Sequence, residues 1–227
     1  MKLKLLAALA FGVLVTLGLP ARPAQAQVDQ QQLVNRALGT VERLRSDERW
    51  KVSFDPELAK ARAVLVVPDL YKAGFVLGGQ FGNGVLLVRG KDGSFSYPAF
   101  YALSGGSLGL QIGAEDVSIV FVIESEKGLD AVLKNEFKIG GEAQVAMVVV
   151  GGGEEVNTTS NMNVDIRAYA FGAVGFFGSL SLQGAVISPR DSWNQDYYGK
   201  PVAASAVVLQ GAASNPQADK LRDFLAH

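Results

Sequence analysis

The chain has 227 residues, 48% of them hydrophobic, with 26 glycines, one histidine and no cysteine. That length supports one domain with a sizeable core, and the lack of cysteine excludes disulfides, thiolate metal sites and cysteine nucleophiles. The formal charge of −1 argues against bulk nucleic-acid binding.

Met1-Lys2-Leu3-Lys4 is a cationic start, Leu5–Leu19 is apolar, and Pro20 closes the run before the small-x-small triplet Ala24-Gln25-Ala26. Residues 1–26 read as a secretory signal peptide, since the apolar run is shorter than the roughly 18 residues of a membrane span. The expectation is an exported, periplasmic protein, peripheral to a membrane. Cleavage removes Lys2, Lys4 and Arg22, leaving 18 basic residues against 22 acidic ones, a net −4.

Residues 27–57 form a helical segment. Leu33, Val34, Ala37, Leu38, Val41 and Leu44 fall at helical spacing within Val28–Trp50 and make one apolar stripe. Such a helix either packs on the domain or lies on a membrane surface. Its polar face mixes Arg36, Arg43, Arg45 and Arg49 with Asp29, Glu42, Asp47 and Glu48. Asp55-Pro56 reads as the start of a further helix, with Asp55 as N-cap.

Residues 58–210 are β-rich. Ala63–Val67 is β-branched and apolar. Gly74–Phe81 and Val85–Arg89 flank Gly82-Asn83-Gly84, a hairpin-turn signal. Lys91-Asp92-Gly93 is a second turn, followed by strand candidates at Phe95–Tyr97, Phe100–Leu103 and Ser107–Ile112. Val117–Ile123 is a nearly continuous apolar run, as in a buried strand. Glu126–Phe137 has helical spacing. Ala143–Val150, Asn163–Phe171 and Gly175–Val186 resume the strands around a turn at Gly151–Glu155. Pro201–Leu209 and Pro216–Leu225 close the chain as short helices, the second within a C-terminal segment 211–227. The fold class expected is α+β: a bent antiparallel β sandwich or partly closed barrel, with the N-terminal amphipathic helix and short flanking helices.

Gly105-Gly106-Ser107-Leu108-Gly109 matches the G-x-S-x-G nucleophile elbow in form. An elbow joins a strand to a helix, whereas Leu108, Leu110 and Ile112 alternate with Gly109, Gln111 and Gly113 at strand period. The one histidine that could serve as base is His227, the last residue. One terminal histidine and no cysteine do not make a transition-metal site. Glu115-Asp116, Glu154-Glu155 and Asp191 with Asp196 read as solvated acids, and Asp191–Asp196 lacks the glycine and closing glutamate of a calcium loop. No phosphate-binding glycine motif is present. No catalytic residue, metal ligand or cofactor is expected.

Several blocks carry a family resemblance. Ala73-Gly74-Phe75-Val76-Leu77-Gly78-Gly79, Gly82-Asn83-Gly84-Val85-Leu86 and Asp92-Gly93-Ser94-Phe95-Ser96-Tyr97-Pro98-Ala99-Phe100-Tyr101 resemble the opening of the SYLF lipid-binding domain. Gly105–Gly113, Phe137–Ala143 and Gly175–Gly184 continue it in order, and Asn194-Gln195-Asp196-Tyr197-Tyr198-Gly199 matches the closing N-x-x-Y-Y-G signature. The resemblance runs from about Leu58 to about Leu209. It implies a family not known for hydrolysis. Eukaryotic members bind acidic membrane lipids, notably phosphoinositides, through an amphipathic N-terminal helix and basic surface residues. Some bind actin with an added poly-proline-binding module.

The function expected is therefore non-enzymatic binding of anionic phospholipid at a membrane surface in a bacterial envelope, without actin. The alternative is a structural or protein-interaction module of the periplasm, with an envelope protein as partner. The matched blocks are mostly glycine and apolar, so the lipid-contacting residues are chosen by charge and apolarity. They are Lys60, Arg62, Lys72, Arg89 and Lys91 for headgroups, and Leu33, Leu38 and Val41 for apolar contact.

Overall fold

A computed structural model describes residues 23–74, 77–108, 117–141, 145–151, 154–157, 164–172 and 182–227. Two helices lead: α1 (Pro23–Ser46) and α2 (Glu48–Lys60). Four strands follow, β1 (Ala63–Gly74), β2 (Leu77–Val88), β3 (Ala99–Leu108) and β4 (Val117–Ile123). Then come α3 (Glu126–Val132), β5 (Phe137–Lys138), β6 (Met147–Gly151), β7 (Glu154–Asn157), β8 (Ile166–Gly172) and β9 (Val186–Pro189). The chain closes with α4 (Asp191–Tyr198), α5 (Ala204–Gln210), a 3-10 turn at Pro216–Ala218 and α6 (Asp219–Ala226). The leader expected at 1–26 lies almost wholly outside the described residues; its last four residues belong to α1.

The strands form one curled, open sheet of mixed α+β architecture, ordered β5-β9-β3-β2-β1-β4-β8-β6-β7. Neighbours pair antiparallel except β6 and β8, which are parallel. No second sheet is needed because helices cover both faces. Every residue of β4 is buried, and its side chains divide by alternation. Val117, Ile119, Phe121 and Ile123 join one core with Leu65 and Val67 of β1 and with α3 and α5. Val120 and Val122 join a second core with Val64 and Val66, the stripe of α1, Trp50, Phe54 and Leu58 of α2, and Leu221 and Leu225 of α6.

Three sequence expectations are corrected. Gly82-Asn83-Gly84 is not a turn but the middle of β2, paired with Leu70 and Asp69 on one side and with Leu103, Ala102 and Tyr101 on the other. The register of β1 shifts between Val66 and Asp69. There the two backbones approach so closely that a Cβ on Gly84 would lie 2.7 Å from the Val66 carbonyl oxygen, and one on Gly82 2.8 Å from that of Asp69. The glycines serve this approach, and the chain reverses between Gly74 and Leu77, whose flanking residues Gly74 and Gly78 pair.

Asp55 does not cap a helix. Pro56 lies inside α2, and Asp55 instead accepts a hydrogen bond from Arg45 Nε at 2.9 Å. The donor that Pro56 lacks would have met the carbonyl of Val52, a residue on the exposed side of α2. Phe95 makes only an isolated bridge with Arg89, because Arg89 and Arg222 occupy the carbonyls around it. Asp191–Asp196, read as solvated acids, forms the first part of α4. The Lys91-Asp92-Gly93 turn stands: Asp92 accepts from the backbone N–H and the hydroxyl of Ser94.

Candidate functional site

Ser107 lies within β3, its backbone paired with Gly78. A residue inside a paired strand is not held on a strand-to-helix elbow. Residues 109–116, which include the motif's last glycine and both Glu115 and Asp116, lie outside the described residues. Among the described residues no three His, Cys, Asp or Glu side chains are placed to hold a metal ion, and no helix is long and apolar enough to cross a membrane.

The cations fall into two groups by chemistry. Each of the eight arginines whose side chains are described is committed to a partner within the protein. Arg36 pairs with Asp69 at 2.8 Å, and Arg43 Nη2 donates to Ser118 Oγ at 3.1 Å, so both fasten α1 to the sheet. Arg89 donates to the carbonyls of Leu58, Ala61 and Gly93 at 2.9–3.0 Å and lies 4.4 Å from the Phe95 ring centroid. It thereby satisfies carbonyls left over at the C-terminal end of α2. Burial lowers its pKa and that of Arg190, though a guanidinium stays charged. Arg190 bonds Asn83 and stacks 3.9 Å from the Trp193 centroid; Arg222 bonds Phe95 O and stacks 4.0 Å from that of Tyr97. All eight lysines whose side chains are described are exposed, residues 51, 60, 91, 127, 134, 138, 200 and 220, though Lys60, Lys127 and Lys200 also meet Glu57, Asp165 and the Ala212 carbonyl.

The proposed lipid-contacting residues do not converge. Lys60, Arg62, Arg89 and Lys91 gather at the end of the sheet where β1 begins, the Arg89 N–H donating to the Arg62 carbonyl at 2.8 Å. Their charge is largely answered there: Arg62 pairs with Glu126, Lys60 with Glu57 at 3.8 Å, and Arg89 is spent on carbonyls. Lys72 stands nine positions beyond Ala63 on β1, about 30 Å away along the strand. Leu33 and Val41 are buried in the second core and Leu38 packs partly buried against it, so the apolar stripe of α1 faces the sheet.

What charge and hydropathy did not single out is the opposite end of the sheet. Tyr71 of β1 and Phe81 of β2 are direct cross-strand partners and both are exposed, by 54% and 46%. Their sequence signal is symmetry: the two aromatics are equidistant from the hairpin tip.

Residues 104–227, more than half of the chain, match the family model described as Ysc84, Las17-binding protein actin regulator. The chain belongs to the Ysc84, or SYLF-domain, family. It is 28% identical over 172 residues to Protein YSC84 of Saccharomyces cerevisiae, covering 75% of this chain and 37% of that protein. To LAS seventeen-binding protein 3 of the same yeast it is 27% identical over 165 residues, 72% of this chain and 36% of the relative. To SH3 domain-containing YSC84-like protein 1 of Rattus norvegicus it is 27% identical over 169 residues, 74% and 49% respectively. The chain thus spans between about a third and a half of these relatives' length.

The SYLF signature at Asn194–Gly199 has a structural role. Asn194 is fully buried and its Oδ1 accepts the Phe100 N–H at 2.9 Å, pinning α4 to β3 where β2 pairs on the other side. Tyr197 stacks edge-on against Phe100 at 5.0 Å and donates its hydroxyl to Gln31 of α1; Tyr198 donates to the Pro98 carbonyl at 2.6 Å. Asn194→Ala leaves a buried N–H without an acceptor, so we expect a loss of about 2 kcal/mol in urea unfolding. Asn194→Asp keeps an acceptor and is expected to lose less.

Proposed function

We propose that this SYLF-family protein binds anionic phospholipid surfaces without catalysing a reaction, as an exported protein peripheral to a membrane of the bacterial envelope. The observation that carries the reading is the division of its cations. The described arginines, which could grip a phosphate bidentately, are committed to partners in the fold, and every described lysine is exposed. Lysine is a mobile point charge, arginine a planar fork. Exposed lysines attract an anionic surface by about 1 kcal/mol each without fitting one headgroup. Actin regulation belongs to the description of the family model and is not extended to this chain.

Vesicles of equal surface charge test this directly. Those carrying phosphatidylglycerol, phosphatidylserine or a phosphoinositide are expected to bind within about threefold of one another. A preference of about tenfold or more for one headgroup would contradict generic recognition, and failure to bind any of them would overturn lipid binding itself.

A further inference from the structure

We infer that the far end of the β1–β2–β3 surface, centred on Tyr71 and Phe81, is where this protein enters the lipid interface. The inference rests on the lipid-binding proposal above and gives it a site.

Asp69 places this face of the sheet. Its carboxylate meets Arg36 of α1, so Asp69 points to the side that α1 covers, and Tyr71, two residues on, points the same way. Phe81 is opposite Tyr71, and Ser104 of β3 is opposite Phe81. Beyond the Arg36–Asp69 pair the helical cover stops. Tyr71, Phe81, Ser104, Gly79 and Gly106 are all exposed, and a Cβ on Gly106 would meet nothing within 4 Å. The result is a strip of bare sheet on which two aromatic rings stand among small residues. Cross-strand partners have Cβ atoms about 5 Å apart, so the rings form one patch, whereas Val28, Val52 and Leu209, the other large exposed apolar residues among those described, lie on three different helices.

Charge and area favour a lipid surface as the occupant. Along the β1–β2 hairpin that carries the strip, from Leu70 to Val88, the chain has no acidic residue and one cation, Lys72, in a protein with 22 acids. On β1 the acid of this face, Asp69, is neutralised by Arg36. The patch is small: two aromatic side chains of about 200 Å² each, about half exposed, fall well short of the roughly 800 Å² per partner of a stable protein interface. Aromatic anchors of this size, on a hairpin without acidic residues, suit the membrane–water boundary, where a ring sits among headgroups and its polar tip stays wet.

The test uses the full chain with anionic vesicles and three variants. Tyr71→Ser/Phe81→Ser is expected to keep its thermal midpoint and lose about tenfold or more in vesicle affinity. Val52→Ser, which removes an exposed apolar residue from α2, is expected to bind as the parent does. Phe81→Trp is expected to add emission, over that of the parent, which shifts to the blue on binding and is quenched by brominated lipid. If the parent binds but the double variant binds equally well and the added emission of Phe81→Trp is not quenched, the site is wrong while lipid binding stands. If the parent binds no vesicle, both fall. If the double variant converts a dimer to a monomer while vesicle binding is unchanged, the strip belongs to a second copy and the proposal is overturned.

Discussion

Val41→Asp is expected to leave no cooperative unfolding transition at 25 °C. Val41 is fully buried, on the stripe of α1 formed with Leu33, Val34, Ala37 and Leu44, each at most 1% exposed. That stripe meets Val64 and Val66 of β1 and Val120 and Val122 of β4. The substitution removes about 1.5–3 kcal/mol of apolar burial. It also buries a carboxyl group, at several kcal/mol if ionised. Together these approach the 5–15 kcal/mol that holds a typical domain together. Near-ultraviolet circular dichroism and urea titration report the outcome. A variant with a sharp transition within about 1 kcal/mol of the parent would mean that α1 does not depend on the sheet. The amphipathic helix would then again be available as the membrane-binding element.

The second large effect is expected at Gly84. A Cβ there would lie 2.7 Å from the Val66 carbonyl oxygen, 2.9 Å from Val67 Cγ2 and 3.2 Å from Leu65 Cδ1. The first obstacle is backbone inside a paired strand, so it yields only by moving β1 away from β2 at the register shift. Gly84→Val adds two methyl groups to that clash, and we expect a loss of about 3 kcal/mol or more. Gly106→Ala on the neighbouring strand meets open space and is expected to stay within about 0.5 kcal/mol of the parent. Similar losses at both positions would mean that strand glycines act through chain entropy, not through close approach.

These two positions also mark what could be read from the chain. The α1 stripe was legible because its 3.6-residue period repeats over several turns, although the sequence left open whether the stripe meets protein or membrane. Val117–Ile123 was legible because a strand covered on both faces is apolar at nearly every position, here all but Ser118. Gly82-Asn83-Gly84 misled because the same residues that permit a turn permit close backbone approach, and nothing local separates the two. Asn194 gave no sign of burial, since its acceptor role depends on Phe100, 94 positions away. The candidate site was less legible than the fold. Arg62 and Arg89 look like surface cations in sequence, but Glu126 and the carbonyls that claim them belong to other elements. Tyr71 and Phe81 look like core aromatics, and only the extent of α1 over the sheet leaves them bare.

Co-sedimentation of the purified protein with neutral and anionic vesicles across a salt series tests the central claim most directly. We expect binding to anionic vesicles only, with release as salt rises from about 0.05 to about 0.5 M and screening shortens the reach of the lysine charges. Equal binding to neutral vesicles, or no binding to either, would contradict it.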